Sequence, residues 1–177
     1  KAFTPKMISQ LEGSLRAETA RVVGELRERN ECEFVADVAA RIPMWSISQL
    51  MGVPDADRQR LYELSHALID DQDPEVAPTP ETSLNASAEI FGYASEMAER
   101  ERAKPSDSLT SRLLEAEVEG RKLTDIEFTL FFLFLIVAGN ETTRTATSHG
   151  LITLLEHPEQ MARLVENPDL MPGAVEE

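Results

Sequence analysis

The chain is poor in the residues that usually mark chemistry: its 177 residues include one cysteine, three histidines, one tryptophan and two tyrosines. A single cysteine, Cys32, excludes an internal disulfide and any multi-cysteine metal centre. It sits between Glu31 and Glu33, where a thiolate is disfavoured, and is expected to be an incidental thiol. His66, His149 and His157 share no metal-ligand spacing, so no metal site is expected. At Asp71-Gln72-Asp73 a calcium loop fails, because its sixth position is Val76 and its twelfth Thr82. The eight glycines are scattered and cradle no phosphate, and no Gly-x-Ser-x-Gly elbow supports a serine hydrolase. Positive charge is scarce too. With 17 basic and 32 acidic residues the net charge is −15, which argues against nucleic acid or an anionic membrane as partner. The longest apolar run, 130–139, falls short of the roughly 20 residues of a membrane span and reads as buried protein. Repeats, low complexity and a basic leader with an apolar segment are not found.

What is present is a set of helices separated by Pro, Gly and polar breaks. The 42% of apolar residues suffices for a substantial core of one domain or part of one. Pro5 precedes a helix over about 6–29 with apolar positions from Met7 and Ile8 to Leu26 on one drifting side. Glu31–Ala40 is ambiguous and compatible with a short strand before a helical turn. Pro43 suits the first turn of a helix that ends at Gly52, with Pro54 beyond. Further helices are expected over 55–70, 81–103 and, capped at Ser106-Asp107, to about 117. The proline-rich, acidic segment 70–80 is the best loop, and Glu119-Gly120-Arg121 is a turn. A short helix over 158–166 closes the series, bounded by Asn167-Pro168.

Between these lies the most informative stretch. Thr124-Asp125-Ile126-Glu127 has the form of a capping box, and nothing stops the helix it starts until His157-Pro158, giving a long central helix over about 125–156. Counting from Phe134, one face carries Val137, Ala138, Glu141 and Thr142, so an apolar face turns polar at one level. Phe128, Phe131 and Phe132 read as core filler, whereas Phe134 lies on that face. Ala138 leaves space beside the Thr142 hydroxyl, and Gly139 permits a local distortion of the helix. Glu141 sits about 100° around from Thr142, so one can face a pocket while the other faces a solvent route. The plain alternative is a solvated helix segment whose Thr142 hydroxyl bonds the carbonyl of Ala138.

Ala138-Gly139-Asn140-Glu141-Thr142-Thr143 resembles the oxygen-binding helix motif of the cytochrome P-450 family, the haem-thiolate monooxygenases, whose usual form is Ala/Gly-Gly-x-Asp/Glu-Thr-Thr/Ser. The flanks are similar to bacterial members, in family order: Ala2-Phe3-Thr4-Pro5, Leu50-Met51-Gly52-Val53-Pro54, Leu155-Glu156-His157-Pro158-Glu159-Gln160, and Pro172-Gly173-Ala174-Val175-Glu176-Glu177. The resemblance implies a mainly α fold in which residues 1–177 form the helical middle of the family's domain, roughly two fifths of a typical member. Glu177 matches the Glu of Glu-x-x-Arg, so the axial cysteine is expected outside this chain, as is the basic N-terminal part that contacts haem propionates. Haem b is the implied cofactor, not stably bound by these residues alone.

By the same resemblance Glu141 and Thr142 are catalytic. Thr142 would hydrogen-bond the activated oxygen and Glu141 would relay protons from solvent, so that oxygen–oxygen cleavage outruns peroxide release. Ala138 and Gly139 would line the oxygen and haem face with Phe134 and Val137. The loop 70–80 would join two helices that lid the substrate pocket; Leu68, Ile69, Leu84 and Ala88 could line substrate there, although core packing is the plainer role for each. The implied reaction inserts one atom of O2 into an apolar small molecule in the cytoplasm, with electrons from a ferredoxin or flavodoxin and its reductase. The Asn140-Glu141-Thr142-Thr143-Arg144 variant resembles members acting on sterols, terpenoids or branched lipids. Retention of Glu141 and Thr142 argues against a peroxide-driven variant. The alternative from another class is a non-enzymatic helical ligand-binding or interaction module.

Overall fold

The computed structural model describes residues 5–70 and 73–176. The resembling Ala2-Phe3-Thr4 segment, most of the excluded calcium loop's first turn, and Glu177 lie outside the described residues. The elements are α1 (Pro5–Arg27), a π-helical turn (Val35–Ala39), α2 (Arg41–Met51), α3 (Asp55–Ile69), α4 (Pro80–Ala103), α5 (Leu109–Glu115), a hairpin of β1 (Glu117–Val118) and β2 (Arg121–Lys122), α6 (Asp125–Glu156), α7 (Pro158–Glu166), a 3-10 turn (Pro168–Leu170) and α8 (Met171–Glu176). The mainly α expectation holds, and the long central helix has the bounds read from its caps.

The core forms where α2, α4, α5 and α6 meet. Met44, Ile47 and Met51 of α2 pack with Ile90, Ala94 and Met97 of α4, Leu109 and Leu113 of α5, and Phe128, Phe132 and Ile136 of α6. Leu61 of α3 joins from one side. Helix α2 stops where predicted. Gly52 takes a left-handed φ of 78°, and a Cβ there would lie 2.8 Å from Ser108 Cβ, so both backbone angle and crowding demand glycine. Thr110 Oγ1 locks the same end by donating to the Met51 carbonyl at 2.7 Å.

Several expectations are corrected. Residues 31–40 hold no strand: Ala40 N donates to Val35 O at 2.9 Å, the five-residue step of a π-turn, and Glu33 Oε1 accepts from Val35 N at 3.3 Å. The cap of α5 is Ser108, which accepts from Ser111 N at 3.1 Å, not Ser106-Asp107. Ser106 Oγ is committed elsewhere, donating to Glu101 Oε2 at 2.8 Å. That carboxylate also takes the hydroxyls of Ser108 and Ser111, and they hold its pKa down against the opposing effect of burial. The turn at Glu119-Gly120 is the tip of a two-residue hairpin, with φ of 53° and 80° suited to a primed turn. On α4, Leu84 and Ala88 face outward, contrary to a core role, whereas Leu68 packs against the core.

The membrane argument also changes. The run 130–139 is short, but the small, weakly polar residues beyond it extend α6 until it is long and apolar enough to cross a membrane by length and composition. Here its inner side is packed instead, with Phe128, Phe132, Ile136 and Asn140 buried at four-residue steps. Its outer side is not buried as expected: Ile126, Leu130 and Phe134 are 72%, 51% and 60% exposed.

Candidate active site

The site is carried by α6, so its placement begins with the start of that helix. Thr124 Oγ1 accepts from Glu127 N at 3.3 Å while Thr124 N donates to Glu127 Oε2 at 2.9 Å, which closes the capping box. Arg121 grips the same carboxylate with two bonds of 2.7 Å from the hairpin. The Arg121 guanidinium, then the Thr124 amide and hydroxyl, pull the Glu127 carboxyl down to about 2. The helix therefore begins at a fixed residue, and every later side chain inherits its direction.

Gly139 is set apart from the other members of its motif. A Cβ on it would lie 2.9 Å from Ile47 Cγ1 and 3.1 Å from Ile47 Cβ, so the glycine exists to let α2 approach α6. The helix runs through it without interruption, so the distortion that a glycine permits is not taken up. Its position is on the packed side, away from Phe134. Asn140 beside it is buried, and its Oδ1 finds no partner among the described residues.

The open side carries the rest. Ile126, Leu130 and Phe134 make an apolar stripe at four-residue steps, and Ala138 and Thr142 continue the same row. Val137 and Ala138 are half-buried and Thr142 is exposed. The row is apolar for three turns and then small and hydroxylated. Thr142 Oγ1 now donates to the Ala138 carbonyl at 2.8 Å, the bond of the plain alternative.

Adjacent Glu141 takes a different direction. It contacts Arg144 Nη2 and accepts from Thr145 Oγ1 at 3.2 Å. Glu141 and Thr142 thus share a level, and each is committed to a different partner. Arg144 is 11% exposed; burial works against its charge, but the adjoining Glu141 carboxylate prevails and its pKa is raised. Arg144 also reaches Asp70 Oδ2 at 3.5 Å, at the end of α3, where His66 Nε2 meets the same oxygen at 2.7 Å.

The sequence suggested no joint role for Arg144, Asp70, His66 and Tyr62: His66 was weighed only as a metal ligand and Arg144 only as part of the 140–144 variant. The local halves of the arrangement had a signal, since Glu141/Arg144 are three apart and His66/Asp70 four apart on their helices. The link between Asp70 and Arg144 spans 74 residues and had none. Cys32 is exposed on the connector after α1 and takes no place on the α6 face.

Comparison with known proteins identifies the family. The family model described as Cytochrome P450 matches residues 60–174. The methyl-branched lipid omega-hydroxylase of Mycobacterium tuberculosis is 39% identical over 181 residues, covering 100% of this chain and 42% of that protein. The steroid C26-monooxygenase of Rhodococcus jostii is 38% identical over 160 residues, covering 90% of this chain and 33% of that protein. Among solved structures, a Mycobacterium marinum cytochrome P450 in complex with pseudoionone superposes with a TM-score of 0.90 at 34% identity, covering 97% of this chain and 42% of that one. The chain spans about two fifths of the length of the first of these curated relatives.

Proposed function

The chain belongs to the cytochrome P450 family, and from that premise we propose that it forms the helical middle of a cytoplasmic haem-dependent monooxygenase that inserts one atom of O2 into an apolar substrate. The observation that carries the proposal is the open row on α6, in which three exposed apolar turns lead to Ala138 and Thr142 with Glu141 alongside. The substrate we propose is a methyl-branched lipid or the side chain of a steroid. Its support is the activities of the two relatives and the Asn140-Glu141-Thr142-Thr143-Arg144 variant. Electrons come from a ferredoxin or flavodoxin with its reductase.

A haem with a thiolate ligand supplies the oxygen activation and electron transfer when bound. These residues fit one wall of its pocket. Leu130, Phe134, Val137 and Ala138 would give that group an apolar wall and would keep bulk water from the reacting centre. Gly139 belongs to the α2 contact and acts on that wall only by fixing how α6 sits. The cysteine ligand is not supplied by Cys32, which stands exposed between two glutamates.

Thr142 and Glu141 handle the protons. The Thr142 hydroxyl rests on the Ala138 carbonyl, and threonine in a helix has two accessible χ1 wells. Rotation about that one bond releases the hydroxyl proton toward the open face, where it donates to the reacting oxygen. Glu141, seated beside Arg144, relays protons from solvent to the Thr142 hydroxyl through water. Both groups stand at the same level of the helix, one residue apart.

The test is turnover of the full-length holoenzyme with isotopically labelled O2 and a methyl-branched fatty acid or a sterol. The proposal predicts one labelled oxygen atom in a hydroxylated product. Unlabelled product, or none with either substrate class under electron supply, would overturn it.

A further inference from the structure

A cavity separate from the α6 row opens between α1, the π-helical turn, α2 and α3. Its volume is about 330 Å³, room for roughly ten molecules the size of water, which suits a small organic molecule better than a bare ion. Ala40, Met44, Trp45 and Tyr62 give it an apolar and aromatic lining, and Arg21, Arg41 and Arg58 converge on it in a chain whose net charge is −15. Two of these cations are already matched: Arg21 Nε donates to Glu18 at 2.9 Å, and Arg41 Nη1 donates to Glu25 at 2.8 Å. Arg58 differs. Its guanidinium lies over the Trp45 ring, 5.7 Å from the centroid, its side chain is 14% exposed, and its Nε is buried without a partner among the described residues. Asp55, the first residue of α3, meets Nη2 of Arg58, leaves Nε unmet and is itself 85% exposed.

We propose that this cavity binds a small organic monocarboxylate with an apolar body, gripped by Arg58. The Nε and Nη2 edge of a guanidinium is a planar fork that matches the two oxygens of a carboxylate. A ligand that fills both teeth satisfies the buried Nε donor and displaces Asp55 into the solvent it already faces. Its apolar body rests on Ala40, Met44 and the Tyr62 ring, since the Trp45 face is taken by Arg58 itself. Glu18 also lines the cavity with its side chain only 11% exposed, and this second negative charge favours a monoanion over a phosphate dianion. Walls from α1, α2 and α3 meet at the ligand, so its binding holds the three helices together and raises the stability of the folded chain by mass action. The site is independent of the haem and of the residues on the open row of α6.

The experiment is a calorimetric titration of the full-length holoenzyme with benzoate, its substrate pocket closed by an azole, with benzyl alcohol and inorganic phosphate as comparison probes. Benzoate is expected to bind saturably at one site and to raise the melting temperature with its concentration, and both comparison probes are expected to bind at least about tenfold more weakly. Arg58→Ala weakens benzoate by about tenfold or more, and Arg58→Lys does not recover it, because an ammonium offers no fork. Asp55→Asn removes the competing carboxylate and tightens benzoate by about three- to tenfold. A gain of affinity cannot come from a misfolded chain, so Asp55→Asn decides the matter should Arg58→Ala fail to fold. Absence of saturable benzoate binding, parent-like affinity in Arg58→Ala, or unchanged or weaker binding in Asp55→Asn would overturn the inference. Phosphate binding as tightly as benzoate would overturn it in favour of a plain anion site, and benzyl alcohol doing so would reduce the cavity to an apolar pocket without carboxylate recognition.

Discussion

Gly139 of the oxygen-helix motif lies against Ile47 of α2, so closely that a Cβ would stand 2.9 Å from the Ile47 side chain. The motif therefore has two sides. Gly139 and buried Asn140 set how α6 packs, while Ala138 and Thr142 continue the open row and Glu141 beside them turns to Arg144.

That contact predicts the behaviour of Gly139→Ala. Alanine gains about 1 kcal/mol of helix propensity, but overpacking against a β-branched side chain costs about 1–3 kcal/mol. The full-length variant should melt at a lower temperature, and Ile47→Val in the same chain should restore much of the loss. A melting temperature raised by Gly139→Ala alone would contradict the packing role.

The two sides of α6 predict opposite phenotypes for its phenylalanines. Phe128 and Phe132 are fully buried, so replacing either with alanine should cost about 3–5 kcal/mol in denaturant titration. Phe134 is 60% exposed, and Phe134→Ala should stay within about 0.5 kcal/mol while weakening substrate binding in the holoenzyme. Equal destabilisation by all three would contradict the assignment of sides.

Thr142→Ala removes only an exposed hydroxyl bonded within its own helix, so stability should change by less than about 0.5 kcal/mol. Haem and substrate binding should persist while oxygen consumption diverts to peroxide, with product per electron pair falling about tenfold, equivalent to ~1.4 kcal/mol in the partition of the two routes. Thr142→Ser should retain coupling. Stoichiometry of electrons, peroxide and product measures all of this, and unchanged coupling in the alanine variant would remove Thr142 from the mechanism.

The start of α6 carries a pH dependence of definite sign. Glu127 is depressed to about 2, chiefly by Arg121, whereas an unfolded glutamate titrates near about 4.3. Its contribution is fully present above the unfolded value and is lost as pH falls through that window toward about 2. Arg121→Ala should flatten the acid limb of the melting-temperature profile, and Thr124→Ala should cost about 1 kcal/mol at neutral pH through the lost cap. An unchanged acid limb in Arg121→Ala would contradict the coupling.

The parts legible in the sequence were those decided by local chemistry. The Thr124-to-Glu127 box and the His157-Pro158 break fixed α6, and Gly52 fixed the end of α2, because caps and turns depend on neighbours in the chain. Phe134 was separable from its neighbouring phenylalanines by helical period alone. The π-turn escaped because a five-residue step has no composition of its own, and Ser106 was mistaken for the α5 cap because Glu101, on another helix, claims it. The motif pointed to Glu141 and Thr142 as the proposed pair, but not to the packing of Gly139 on α2 or the contact of Arg144 with Asp70. Those relations exist only once the helices are packed.

The central claim is a thiolate-ligated haem beside this helix, and the carbon monoxide difference spectrum of the reduced full-length protein tests it most directly. The account predicts the long-wavelength Soret band characteristic of thiolate ligation, retained in Thr142→Ala and Arg144→Ala. Freshly prepared, folded, haem-supplemented protein lacking that band would contradict it.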